Sequence, residues 1–280
     1  MNQSGANRLL PYWAIGEFFG TFLLVFFGCG SVCAAVLTGA QVGIFQVAII
    51  WGLGIATAIY LTGGLSGSHL NPAVTLALAG WNGFSWRRVP GYLTAQLFGA
   101  FVASAVLYLA FAGALRVFEQ SHGIIRGQPG SEASAMIFGE FFPNPGGRPF
   151  TTQILTTIGP GRAFYVEALG TAVLVLVILG TTNKSNPSRP GPLTAITIGL
   201  TVTMLISILA PLTMAGFNPA RDLAPRLFSC LVGWGRLPFS TNGNGWFTVY
   251  VLGPLTGGQV GAILYRFFFH RAYAAITIPG

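Results

Sequence analysis

Ser66-Gly67-Ser68-His69-Leu70-Asn71-Pro72-Ala73-Val74-Thr75 closes a long apolar stretch with a turn of small residues and then opens a short helix-like run. The tripeptide Asn-Pro-Ala returns at Asn218-Pro219-Ala220, where it runs straight into Arg221. Asn is a preferred N-cap, and Pro at the first helical position gives up no hydrogen bond, so each copy reads as a helix start. The apolar run after each is short, about residues 71–82 and 218–230. At 1.5 Å per residue, about ten residues cross only about half of a bilayer's hydrocarbon core. Both runs therefore read as half-helices.

The setting is a membrane. Of 280 residues, 52% are hydrophobic and 7% are charged, too few charges to keep a soluble surface wet. Six stretches are long enough to span, at about 12–37, 42–62, 90–114, 161–181, 192–210 and 246–269. Pro11 and Tyr12 lead into the first without a small-residue cleavage site, so a cleaved signal peptide is not expected. The backbone from Gly63 to Ser68 reads as irregular. At membrane depth that is tolerated only when buried in protein or lining a wet cavity.

The net charge of +8 comes from 14 basic and 6 acidic residues. It reads as a topology signal and not as a nucleic-acid surface. Arg8, Arg87, Arg88, Lys184, Arg189, Arg266 and Arg271 fall on one side if six spans alternate. The opposite loop, about 115–160, sets Glu119, Glu132 and Glu140 against Arg116, Arg126 and Arg148. Both termini are accordingly expected in the cytoplasm. Cys29, Cys33 and Cys230 make no metal spacing, and neither a metal nor a cofactor is implied.

The two halves repeat each other. Glu17-x-x-Gly20-Thr21 matches Glu167-x-x-Gly170-Thr171, and Gly52-Leu53 and Gly199-Leu200 each begin 19 residues before their asparagine. Leu93-Thr94 with Gly99-Ala100 matches Leu255-Thr256 with Gly261-Ala262. Small pairs of this kind are ordinary helix-packing residues, which accounts for any one match but not for their order. Three spans per half is an odd number, so the second half inserts upside down. The expected fold is an all-α membrane protein, one domain of six transmembrane helices plus two re-entrant half-helices. Its inverted repeats cover about 12–114 and 161–269. Two helix N-termini then meet at membrane depth, their dipoles favouring polar uncharged solutes and repelling cations.

The run from Ser66 to Thr75 closely resembles the signature of the aquaporin and glycerol-facilitator superfamily, and the resemblance extends from Glu17 to the sixth span. Phe118-Glu119-Gln120-Ser121-His122 with Arg126-Gly127, and Asn218-Pro219-Ala220-Arg221-Asp222, look specifically like bacterial glycerol facilitators. The resemblance implies a passive channel for glycerol and similar small uncharged solutes, with some water flux, excluding ions and protons. It also implies a homotetramer in lipid, one pore per subunit, in a bacterial cytoplasmic membrane.

Carried over residue by residue, the resemblance makes Asn71 and Asn218 the paired pore asparagines, each followed by its Pro72-Ala73 or Pro219-Ala220. By spacing from them, Trp51, Ile206, Ala215 and Arg221 form the constriction. Glycerol facilitators place an aromatic where Ala215 stands and a glycine where Ile206 stands, so bulk has moved from one wall to another. Strict water channels carry a histidine at the Ile206 position. A quartet of Trp, aliphatic, Ala and Arg looks like one subgroup of the plant nodulin-26-like channels. Asp222 and Arg226 fit the facilitator pattern of an acid and a base after the second tripeptide. Glu17 and Glu167 read as structural acceptors for the loops before the half-helices, with acid–base chemistry as the other reading. His69 reads as a structural hydrogen-bonding residue, or as a gate. Trp51→Ala or Arg221→Ala is expected to change solute choice more than folding.

Three alternatives stand beside the glycerol reading. One is a water-selective channel. Another is a channel for neutral arsenic, antimony or boron hydroxides, which a filter opened by Ala215 would favour. The third is an ion-coupled transporter, which would need midplane carboxylates, and only Glu17, Glu167 and Asp222 are available. No nucleophile elbow or Cys/His cluster points to an enzyme.

Overall fold

A computed structural model describes residues 11–151 and 156–277. Arg8, one of the charges behind the expected orientation, lies outside them. Among the described residues six helices are long and apolar enough to cross a membrane: Tyr12–Thr38, Ile44–Ser66, Trp86–Ser121, Pro160–Thr182, Gly191–Thr213 and Gly245–Tyr273. In chain order the principal helices are α1 (Tyr12–Thr38), α2 (Ile44–Ser66), α3 (Pro72–Trp81), α4 (Val89–Ser121), α5 (Pro160–Thr182), α6 (Thr194–Thr213), α7 (Pro219–Ser229) and α8 (Gly253–Leu264). The half-helices are α3 and α7, with Asn71 and Asn218 as their N-caps and Pro72 and Pro219 at the first helical position.

The outward face is apolar. Leu109, Met204 and Ile208 are each more than 60% exposed, an apolar outer surface in keeping with six helices of membrane-spanning length. The inward faces are built from small residues that let helix backbones touch. α2 crosses α6 at the two repeat glycines: a Cβ on Gly52 would lie 2.5 Å from the Gly199 carbonyl oxygen, and one on Gly199 2.2 Å from that of Gly52. Gly20 makes room for Leu70, and its counterpart Gly170 makes room for Phe217. Gly99 sits against the Phe18 carbonyl and Gly261 against that of Ala172, which holds α4 on α1 and α8 on α5. The matched glycines thus sit at matched contacts. Gly52→Leu should push α2 and α6 apart and cost at least about 1–3 kcal/mol. Detergent thermal unfolding at wild-type temperature would contradict that.

Three local features differ from the sequence reading. Gly63, Gly64, Leu65 and Ser66 are helical, and α2 stops only at Gly67, whose φ of 85° is a left-handed C-cap. The irregular backbone is confined to 67–70, where Ser68 and Leu70 also have positive φ. α4 continues to Ser121, so the long loop begins near His122 and Arg116 lies on a helix. The sixth span is interrupted by π-helical turns at Thr248–Leu252 and Tyr265–His270. Arg87, Arg88, Lys184, Arg189, Arg266 and Arg271 are all exposed at span ends or in loops.

Candidate functional site

Each half-helix starts where a loop of left-handed residues ends, and a buried glutamate holds that loop. Glu17 of α1 accepts the backbone N–H of His69 (2.9 Å) and of Leu70 (2.8 Å), together with Gln96 Nε2 (2.7 Å). Glu167 of α5 accepts the N–H of Gly216 (3.0 Å) and of Phe217 (2.7 Å), together with the Thr213 hydroxyl (2.6 Å). An acceptor here has a clear physical reason. Backbone donors of a strained loop have no helix ladder to join, and an unpaired buried N–H is costly. All of these partners are hydrogen-bond donors, as the structural-acceptor reading requires.

The asparagines interlock the halves. Asn71 Oδ1 accepts from Ala73 N–H at 2.8 Å, and Asn218 Oδ1 accepts from Ala220 N–H at 3.0 Å and Arg221 N–H at 3.3 Å. With Oδ1 so engaged, Nδ2 faces the other half. Asn71 Nδ2 donates to the Phe217 carbonyl and Asn218 Nδ2 to the Leu70 carbonyl, both at 2.8 Å. A primary amide carries two N–H donors. One from each asparagine therefore ties down the loop of the opposite repeat.

Two cavities meet at this layer. The first is lined by Asn71 and Asn218 and is otherwise mostly aliphatic, with Leu24, Ile55, Val74 and Ile178, reaching Thr182 and Thr194 on the face away from the long loop. The second opens beneath the long loop past His122, Asn144 and Arg148. Trp51, Ile206 and Arg221 line both, so the boundary falls on three of the four residues that spacing had singled out. Ala215 lines the first cavity, next to Met214 on the second. Trp51 fits because α1 has Gly28 opposite, where a Cβ would lie 2.2 Å from the indole ring. The Arg221 guanidinium carbon lies 4.4 Å from the centre of the Trp51 ring, within cation–π range.

His69 lines the first cavity. Its Nδ1 is 3.2 Å from the Thr75 hydroxyl, and its ring packs on Phe84 and Tyr92. Asp222 does not face either cavity. It pairs with Arg226 one turn on (2.8 Å) and accepts the N–H of Glu140 at 2.8 Å. Glu119 forms the ion pair with Arg126 that the charge balance of the loop foreshadowed (2.9 Å).

Glu140 was read from sequence only as a balancing charge of that loop. Its side chain goes instead to α7, where Oε1 lies 2.8 Å from Arg221 Nη2, an ion-pair contact without hydrogen-bond alignment. A signal for it existed: a single acid within the apolar run Phe138-Gly139-Glu140-Phe141-Phe142. An acid so placed is either exposed or paired, and this one is fully buried.

The model of one family, major intrinsic protein, matches residues 12–265. The chain is 40% identical over 267 residues to the glycerol uptake facilitator protein of Pseudomonas aeruginosa, covering 95% of this chain and 91% of the relative. It is 42% identical over 254 residues to the glycerol uptake facilitator protein of Escherichia coli, covering 90% and 86%. The propanediol uptake facilitator of Salmonella typhimurium is 37% identical over 253 residues, covering 90% and 91%. The X-ray structure of the aquaglyceroporin from Plasmodium falciparum superposes with a TM-score of 0.79 at 27% identity, covering 94% of this chain and 98% of that one.

Proposed function

This chain belongs to the major intrinsic protein family, and from that footing we propose that it is a passive channel for glycerol and other small uncharged solutes, with some water flux. The observation that carries the reading is the meeting of two cavities at Trp51, Ile206 and Arg221, one layer from the interlocked asparagines. A solute there would lay its carbons on Trp51 and Ile206 and its hydroxyls on the Arg221 fork. The second amide N–H of Asn71 and of Asn218 would take the next oxygen, and the dipoles of α3 and α7 would orient it against proton relay. The facilitator relatives support glycerol in particular.

The deciding experiment is stopped-flow light scattering on proteoliposomes, comparing water-driven shrinkage with glycerol re-swelling. Fast re-swelling with a low activation energy is the expected result. Fast shrinkage without re-swelling would leave a water channel and remove the glycerol reading. Ala215, small where facilitators place an aromatic, favours the neutral hydroxides of arsenic, antimony or boron as further solutes, which the same assay reads directly. Trp51→Ala removes the aromatic wall and should change the glycerol-to-water flux ratio about tenfold, the scale of a lost apolar pocket contact. An unchanged ratio would take Trp51 out of the filter.

We further propose that both termini lie in the cytoplasm, since the exposed Arg87, Arg88, Lys184, Arg189, Arg266 and Arg271 sit at span ends or in loops that carry no acid and outnumber the exposed Arg116, Arg148, Arg162 and Arg236 of the opposite side. A cysteine introduced at Ser188 should react with impermeant thiol reagents only from inside. A homotetramer in a bacterial cytoplasmic membrane is the assembly that suits the reading, and cross-linking in native membrane tests it.

A further inference from the structure

We propose that Glu140, a residue of the long outer loop, is a positioning residue of the filter that holds the Arg221 guanidinium against Trp51 and offsets its charge. The proposal rests on the channel reading above and adds a determinant outside the quartet.

Several contacts fix the loop at this point. The N–H of Glu140 donates to Asp222 Oδ1 at 2.8 Å, and its carbonyl accepts from Arg226 Nη2. The next residue, Phe141, donates its N–H to Met214 Sδ at 3.2 Å. Two residues earlier, the Phe138 carbonyl accepts from Arg221 Nη1 at 3.4 Å. The backbone is thus clamped to the same helix that carries Arg221, and the carboxylate reaches the guanidinium at 2.8 Å. Room for it comes from Gly216: a Cβ there would lie 2.1 Å from Glu140 Oε2 and 3.2 Å from Glu167 Oε2.

The charge balance of this pocket is tight. The groups facing Glu140 are Arg221, Asp222 and Arg226 on α7, Glu167 on α5, Tyr250 in the sixth span and Cys29 on α1. Three carboxyl groups and two guanidinium groups leave the pocket one negative charge in excess if all are ionised. Burial raises the Glu140 pKa, and Arg221 pulls against that rise. Acid outside the membrane would therefore protonate Glu140 and take from Arg221 the carboxylate that reaches it. A guanidinium freed from that contact holds solute hydroxyls more tightly, which slows glycerol relative to water.

The test compares glycerol-to-water flux ratios in proteoliposomes for wild type, Glu140→Gln, Glu140→Asp and Glu132→Gln. Glu132 is a loop control. It is also buried, but its carboxylate accepts from the Gly130 and Phe150 N–H groups instead of reaching a filter residue. Glu140→Gln should lower the ratio about threefold or more, the scale on which a residue that touches no ligand modulates a binding site. Glu140→Asp should fall between Gln and wild type, and Glu132→Gln should match wild type. As external pH is lowered, the wild-type ratio should drift toward the Gln value, and further than the ratio of the Gln variant moves. Equal ratios in all four proteins, or identical pH profiles for wild type and Glu140→Gln, would overturn the proposal. So would Glu132→Gln and Glu140→Gln changing alike. If Glu140→Gln does not insert, the Asp ratio and the wild-type pH profile decide, and an Asp variant equal to a pH-flat wild type overturns it. A wild type that passes water but no glycerol would defeat the solute reading alone, and the pH profile of water flux would then decide the role of Glu140.

Discussion

Arg221→Ala should lose about 3–5 kcal/mol of stability along with its solute discrimination, because it leaves a buried carboxylate without its partner. Arg221 and Glu140 are 4% and 0% exposed and lie 2.8 Å apart. Taking away one member of such a pair costs more than taking away both. Arg221→Ala/Glu140→Gln should therefore recover most of the loss in thermal unfolding while still failing to discriminate among solutes. A double variant no more stable than Arg221→Ala would show that the pair is not energetically coupled. From sequence alone this substitution was expected to touch solute choice more than folding. That expectation did not weigh Glu140, a partner more than 80 residues earlier, which the lone acid in its apolar run marks as paired or exposed without naming Arg221.

The second large effect concerns the loop glutamates. Glu167→Ala strips the acceptor from two buried backbone N–H groups and the Thr213 hydroxyl. At about 1–3 kcal/mol for each orphaned donor, the two backbone groups alone amount to roughly 2–6 kcal/mol. The loop carrying Ala215 and Phe217 would not keep its left-handed backbone, and water flux per inserted protein should fall to near background. Glu167→Gln retains one acceptor oxygen and should keep part of that flux. Glu17→Ala should behave alike through His69 and Leu70. If the alanine variants conducted normally, these carboxylates would not be loop acceptors and their role would have to be sought in proton chemistry.

The elements legible in the sequence were those whose physics is local or periodic. Span length and apolarity located six helices, and Asn-Pro located both half-helix starts. The matched glycines, read in the sequence as the mark of a repeat, sit at helix contacts, where Gly52 and Gly199 meet face to face. The acceptor role of Glu17 and Glu167 was readable because each half carries one at the same place. Features without a repeat partner were harder. Glu140 has no counterpart in the first half. The helical stretch Gly63–Ser66 was missed because glycines weaken a helix by propensity alone, whereas the surrounding helices decide here. The extra turns of α4 carry polar residues, Glu119, Gln120 and Ser121, that an apolarity window excludes.

The crossed asparagine bonds also set an order of events during synthesis. Asn71 completes its bonding with the carbonyl of Phe217, 146 residues downstream, and Asn218 reaches back to Leu70. At a translation rate of about 5–20 residues per second, the first half-helix waits roughly 7–30 s for its clasp after it leaves the ribosome. During that interval α3 is a short insert with an unfinished end, held on its own side by Glu17 alone among the two loop glutamates. The nascent first half is thus the stage most exposed to the membrane's quality-control proteases, and the arrival of Phe217 and Asn218 closes that window for both halves at once.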